Sequence, residues 1–140
     1  MDVINRALFE DAFNLTKRLY GKNFPFKSFS TAEHYFLLRI DEYHYIEYAM
    51  NSFPNTCGTV IVSDLTTYVD KKETKIAFEI MELTCKNARK TALIYLTAAN
   101  QPDIQNLLYS VKWRKMSRPF INRNSKRLNT IHIRNIYLND

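Results

Sequence analysis

Thr59-Val-Ile-Val-Ser-Asp-Leu-Thr-Thr-Tyr-Val69 opens a stretch, running on to Trp113, in which two periodicities alternate and decide the fold. Its β-branched residues pack well on a pleated surface and predict a strand of about ten residues. From Lys75 the period changes. Ile76, Ala77, Ile80, Met81, Leu83 and Ala88 recur near helical spacing, while Lys75, Glu79, Glu82, Lys86 and Arg89 fall on the other side. This spacing predicts a helix from Lys75 to Lys90, with Lys75 and Glu79, and Glu82 and Lys86, as surface pairs four residues apart. Ala92-Leu-Ile-Tyr-Leu-Thr-Ala98 is apolar nearly throughout and has no room for a third helical turn, so it predicts a strand covered on both faces near the sheet centre. Asn100-Gln-Pro-Asp103 then supplies a turn. Ile104, Leu107, Leu108 and Val111 form the buried side of a second helix, Asp103 to Val111.

Outward from this core, residues 3–20 predict a first helix with Ile4, Leu8, Ala12, Leu15 and Leu19 on one side, Phe9 and Phe13 widening the stripe, and Gly21 ending it. Ser30-Thr-Ala-Glu33 has the pattern of a capping box and predicts a short helix to about Leu38. Residues 43–50 are aromatic-rich with partial alternation. They predict a strand that Pro54-Asn-Thr-Cys-Gly58 turns back into Thr59, beginning an antiparallel sheet. Residues 117–122 and 129–137 predict two further strands joined by a basic turn from Arg123 to Leu128. The fold class is mixed α/β (α+β), a single domain over residues 1–140 with a central, mostly antiparallel sheet flanked by helices.

At 140 residues and 46% hydrophobic, the chain has enough material for one real core. No run approaches the roughly 20 apolar residues of a membrane span, and the first residues do not resemble a signal segment, so no membrane is expected and the expected compartment is the cytoplasm. Cys57 and Cys85 have neither metal-ligand spacing nor the density of a disulfide scaffold, and reduced thiols are expected. The two glycines, Gly21 and Gly58, stand against 13 Asn, so Asn and Asp are expected at the other left-handed positions. The same composition suggests an AT-rich coding sequence such as a phage or a low-GC bacterium carries; in the first case the compartment is a host cytoplasm. His34, His44 and His132 complete no metal site or nucleophilic triad and are given no role. His132 alternates with Ile131 and Ile133 and is expected to point away from the face they bury.

The net charge of +6 is unevenly placed: residues 104–139 hold eight Lys or Arg and no acid, while residues 1–103 hold 12 basic and 13 acidic residues. A one-sign segment attracts polyanions. Nucleic acid or an acidic partner is therefore expected along residues 112–134, weighed against a plain solvated basic face.

The order strand, charged loop, long helix, buried strand, Asn, short helix ending in Leu-Tyr and then an aromatic resembles the core of the GCN5-related N-acetyltransferase (GNAT) superfamily, over roughly the last two thirds of the chain. The resemblance implies an acetyl-CoA-dependent N-acetyltransferase acting on an amine. In that family the loop before the long helix matches Arg/Gln-x-x-Gly-x-Gly/Ala and wraps the pyrophosphate of acetyl-CoA. Its counterpart by position is Lys72-Glu-Thr-Lys-Ile-Ala77, which makes Lys72, Lys75, Ile76 and Ala77 the cofactor positions. Only the basic first residue and the final Ala match. Lys75 stands where the family has Gly, and Glu73 brings a negative charge to the place of two phosphates. The loop is degenerate, so acetyl-CoA binding is expected to be weak or absent. Asn100, Leu108-Tyr109 and Lys112-Trp113 resemble the later signature, with a slip of one residue before the aromatic.

The resemblance also implies two catalytic residues: Asp64 as the carboxylate base that takes an ammonium proton, and Tyr109 as the acid for the leaving thiolate. Each has an ordinary alternative, Asp64 facing solvent on an alternating strand and Tyr109 packed at a core edge. Two functions stay open. One is a divergent N-acetyltransferase. The other is a cofactor-less GNAT-like binding or structural protein, viral in origin, that works through its basic C-terminal face.

Overall fold

The computed structural model describes residues 4–52, 58–98 and 102–136, and its first element is α1 (Arg6–Tyr20). Asn5 caps this helix by accepting the Leu8 N–H at 3.0 Å, and Gly21, at φ +58°, ends it. The buried stripe is Phe9, Ala12, Phe13 and Thr16, whereas Leu19, expected inside, is 76% exposed. The phenylalanines set the rotation. Phe9 meets Phe29 and Phe36, and Phe13 meets Phe24 and Phe29, so the larger rings win the core over Leu15 and Leu19.

The helix expected over residues 30–38 is instead a hairpin of β1 (Ser28–Ala32) and β2 (Tyr35–Arg39), with Phe29 opposite Leu38 and Thr31 opposite Phe36. A capping-box pattern is purely local. Burying Phe36 and Leu38 with period two outweighs it, and Glu33, at φ +56°, takes the tight turn. β3 (Tyr45–Ser52) and β4 (Thr59–Thr67) continue the antiparallel sheet; of the turn expected between them, residues 54–57, with Cys57, lie outside the described residues. α2 (Lys71–Asn87) crosses to β5 (Ala92–Ala98), which runs parallel to β4. α3 (Pro102–Ser110), β6 (Arg114–Lys115), β7 (Phe120–Ile121) and β8 (Leu128–Asn135) complete the chain. The strand expected over residues 117–122 shrinks to β7 behind Pro119, which has no N–H to pair.

The sheet order is β1-β2-β3-β4-β5-β8-β6, with β7 also on β8, and β4 with β5 is its parallel pair. Register sets Phe36 beside Tyr48, Met50 beside Val62, Val62 beside Tyr95 and Tyr95 beside His132, all on one face. All three helices touch that face. α1 does so through Phe9 on Phe36, α2 through Cys85 Sγ, which lies 3.8 Å from Met50 Sδ, and α3 through Tyr109 on His132. On the opposite face Ile61, Ile94 and Ile133 lie in register and half-buried. β5 is interior to the sheet as expected, but its helix cover is on one face.

Left-handed positions fall to Glu33, Asp64, Arg89, Lys112 and Lys126 besides the two glycines, so of these only Asp64 is of the expected Asn or Asp type. Two of them close helices. Arg89 N–H donates to Lys86 O and Lys90 N–H to Cys85 O, both at 2.9 Å; Lys112 N–H donates to Tyr109 O at 3.1 Å and Trp113 N–H to Leu108 O at 2.9 Å. This is the helix closure that glycine usually caps. A basic side chain there gains in return from the negative end of the helix dipole.

Candidate active site

Four residue pairs hold β4 to β5, from Thr59 and Ala92 to Val62 and Tyr95. Beyond them β4 stays with β3 through Ser63 on Ala49 and Thr67 on Ile46, while β5 stays with β8 through Thr97 on Thr130 and Ala98 on Asn129. The two halves of the sheet therefore part at the C-terminal ends of the parallel strands, which is where open sheets bind ligands. A bulge marks the parting. Asp64 and Leu65 stand opposite Tyr48 alone, and Asp64 is exposed in a left-handed conformation at φ +52°. Such bulges re-aim a side chain, and a non-glycine residue held there stores strain.

Across the parting, Tyr95 is the last β5 residue paired with β4. Burial, and then the charge of Asp64, lift its phenol to about 12. Tyr95 pairs in turn with His132, whose ring centre lies 5.6 Å from that of Tyr109. Tyr109 is 43% exposed and its hydroxyl lies 3.4 Å from His132 Nε2. On the other side of the imidazole, Nδ1 is 3.3 Å from Thr97 Oγ1, which is 2.8 Å from Thr130 Oγ1. Burial, and then Lys115, hold the His132 pKa below its usual 6.5, so the neutral imidazole is its form at pH 7.

Asp64 thus lies within electrostatic reach of Tyr95, and Tyr109 lies against His132, the register partner of Tyr95 on β8. His132 faces away from Ile131 and Ile133 as expected, but its own side is the more deeply buried one. It is fully buried while Ile131 and Ile133 are half-buried, because Thr130 and His132 share a face with Thr97 and Tyr95 beneath α3. The readable signal was Tyr95 and Thr97, the polar-bearing positions of an otherwise apolar strand.

No protein-family model matches the sequence, and no curated protein matches it. Solved structures match in shape. An acetyltransferase (GNAT family) from Bacillus anthracis is 9% identical over 74% of this chain and 66% of its own, with a TM-score of 0.58. The ribosomal-protein-S18-alanine N-acetyltransferase from Escherichia coli is 12% identical over 79% of this chain and 74% of its own, with a TM-score of 0.57. A Salmonella typhimurium protein assigned as an acetyltransferase, and solved with its cofactor acetyl-CoA, is 13% identical over 89% of this chain and 70% of its own, with a TM-score of 0.56. The chain has the GNAT fold.

Within this GNAT fold the positions expected to hold the cofactor are placed differently from a loop. Lys72, Lys75, Ile76 and Ala77 lie in the first two turns of α2. The helix starts earlier than the spacing from Lys75 suggested because Asp70 caps it, its Oδ1 accepting the Glu73 N–H at 3.1 Å and its backbone O the Thr74 N–H at 3.0 Å. Ile76 and Ala77 are buried in the core and Lys72 and Lys75 are exposed; Asn100 lies outside the described residues. A helix start ordinarily favours phosphate through its N–H groups and dipole. Here two carboxylates hold that place. Burial, and then Asp70, raise the Glu73 pKa from 4.5, while the hydrogen bond with the Glu73 side chain, above all, lowers that of Asp70 from 3.8. A recess of about 430 Å³ beside this start is bounded by the cap Asp70, by Lys71 and Thr74 on α2 and by Asp103 and Ile104 on α3. Lys71 and Lys72 flank the carboxylates of Asp70 and Glu73, and no glycine stands in this first turn to let its N–H groups approach a diphosphate closely. Among the described residues no group of His, Cys, Asp or Glu could hold a metal ion, and no helix is long and apolar enough to cross a membrane.

Proposed function

We propose that this GNAT-fold protein transfers an acyl group to an amine in the cleft where β4 and β5 part. What supports this reading is that Asp64 stands on the bulged lip of β4, close enough for its charge to act on Tyr95, and that Tyr109 lies against His132, the register partner of Tyr95. Asp64 takes the proton that an ammonium group must lose before its nitrogen can attack. Tyr109 gives its phenolic proton to the leaving group, with the neutral imidazole of His132 behind it. The fold suggests acetyl-CoA as donor; because the α2 start offers its diphosphate no cradle, its affinity is expected to be low.

The test is transfer from acetyl-CoA at high concentration to a panel of primary amines, compared among the wild type, Asp64→Asn and Tyr109→Phe. A fall of about 10²-fold or more in each variant supports the roles. An unchanged rate in Tyr109→Phe removes the acid from the reading.

One observation favours a second reading, the pair of carboxylates at the α2 start. In it the GNAT fold works without an acyl donor and binds nucleic acid or an acidic partner through residues 112–134. Arg114, Lys115, Arg118, Arg123, Lys126 and Arg127 are all exposed. Under this reading no amine is acylated, and nucleic-acid binding weakens steeply as salt rises.

A further inference from the structure

We infer that the protein carries an anion-binding recess for a phosphorylated small molecule, set on the side of α2 that faces the ends of α1 and α3. The recess holds about 390 Å³, and its size suits a small ligand. Lys72, Lys75, Lys112 and Arg134 line it against two carboxylates, Glu79 and Glu82. Both carboxylates are engaged: the Tyr20 hydroxyl donates to Glu79 Oε2 at 2.5 Å, and Arg134 Nε donates to Glu82 Oε1 at 2.7 Å. Burial, and then Glu79, lift the Tyr20 phenol to about 12, so this hydroxyl keeps its proton. Lys72, Lys75 and Lys112, in contrast, form no salt bridge among the described residues.

The three lysines converge because the fold places them. Lys72 and Lys75 are three apart on α2 and so project on the same side. Lys112 sits at the left-handed position that closes α3, at φ +69°, held by the two backbone hydrogen bonds of that closure. Ile76 and Val111 supply an apolar wall between them. Ammonium groups are compact point charges that suit phosphate oxygens, and the wall suits the apolar or aromatic body to which the phosphate is attached. The inference stands apart from the acyl-transfer reading.

Inorganic diphosphate, ATP and acetyl-CoA share the phosphate chemistry and are titrated separately into the full chain, by calorimetry and by backbone amide shifts. Saturable binding is expected, with shifts grouped at Lys72, Lys75 and Lys112. Lys75→Gln combined with Lys112→Gly should weaken it about tenfold, while Arg123→Gln combined with Arg127→Gln, in the distant basic turn, should leave it within about twofold. Glycine at residue 112 accepts the left-handed backbone, so the variant keeps the helix closure. Tighter binding of ATP than of the other two supports a free nucleotide as the ligand, and tighter binding of acetyl-CoA supports the nucleotide end of an acyl donor. Equal losses in the two double variants, shifts grouped over residues 123–127, or no saturable binding of any of the three would overturn the inference. Loss of acyl transfer in Asp64→Asn leaves it untouched.

Discussion

Replacing Tyr48 by Phe should stabilise the protein, and the reason lies beneath the Asp64 bulge. Tyr48 is fully buried on β3 and stacks on Phe36 at 6.0 Å and 25°. Its hydroxyl has no hydrogen-bond partner among the described residues. Burial, and then the nearby Cys85, push the phenol well above its usual 10, so it stays neutral, a donor with nothing to donate to. Leaving a hydroxyl buried and unpaired costs about 1–3 kcal/mol. Removing one oxygen opens a space smaller than a methyl group, which gives back at most about 1 kcal/mol. The net gain should be about 1 kcal/mol, a rise of about 2–4 °C in the thermal midpoint for a chain of this size. Urea unfolding followed by far-ultraviolet circular dichroism measures it, with an unchanged slope showing that the native state is the one affected. A loss of about 1 kcal/mol or more would refute the reasoning, because it would mean that the hydroxyl has a partner.

Arg89→Gly should add about 0.5–1 kcal/mol, since the left-handed closure of α2 costs an L-residue more than glycine loses in the unfolded chain; a drop in the urea midpoint would contradict this. His132 has its folded pKa below 6.5, so as pH falls through 6.5 the unfolded chain gains a proton that the folded chain refuses. Stability should therefore fall from pH 6.5 down to that lower value, and His132→Gln should flatten this part of the curve; superimposable curves would count against the burial of a neutral imidazole. Cys85 is buried, and burial, followed by Glu82, pushes its thiol far up. In a Cys57→Ser background a thiol reagent should label Cys85 only at the rate of unfolding, and rapid native-state labelling would contradict its burial.

The core from Thr59 to Trp113 is legible in the sequence because each of its segments carries one strong period: a β-branched run, a helical spacing, a short apolar run and a second helical spacing. The hairpin of β1 and β2 is not, because Ser30 and Glu33 match a local helix signal while the burial of Phe36 and Leu38 depends on β3 and α1, distant in the chain. Asp70 was a readable start for α2, an N-cap residue directly before the periodic stretch. The bulge at Asp64 was not readable, since it arises from register against Glu47 and Ala49. His132 shows the same limit: alternation says that it and its neighbours face opposite ways, but pairing with β5 decides which way is inward. The left-handed Arg89 and Lys112 were hidden for a related reason, as hydrogen bonds at the helix ends select them and composition favours Asn and Asp.

The measurement that bears most directly on the acyl-transfer cleft is amide-shift mapping with S-acetylpantetheine, an acetyl thioester that carries no phosphate. If substrates meet Asp64 and Tyr109 where β4 and β5 part, the shifts will group over residues 62–66, residues 95–97 and Tyr109, and will be the same in the Lys75→Gln, Lys112→Gly double variant. Shifts confined to Lys72, Lys75 and Lys112, or none at all at saturating thioester, would contradict that claim.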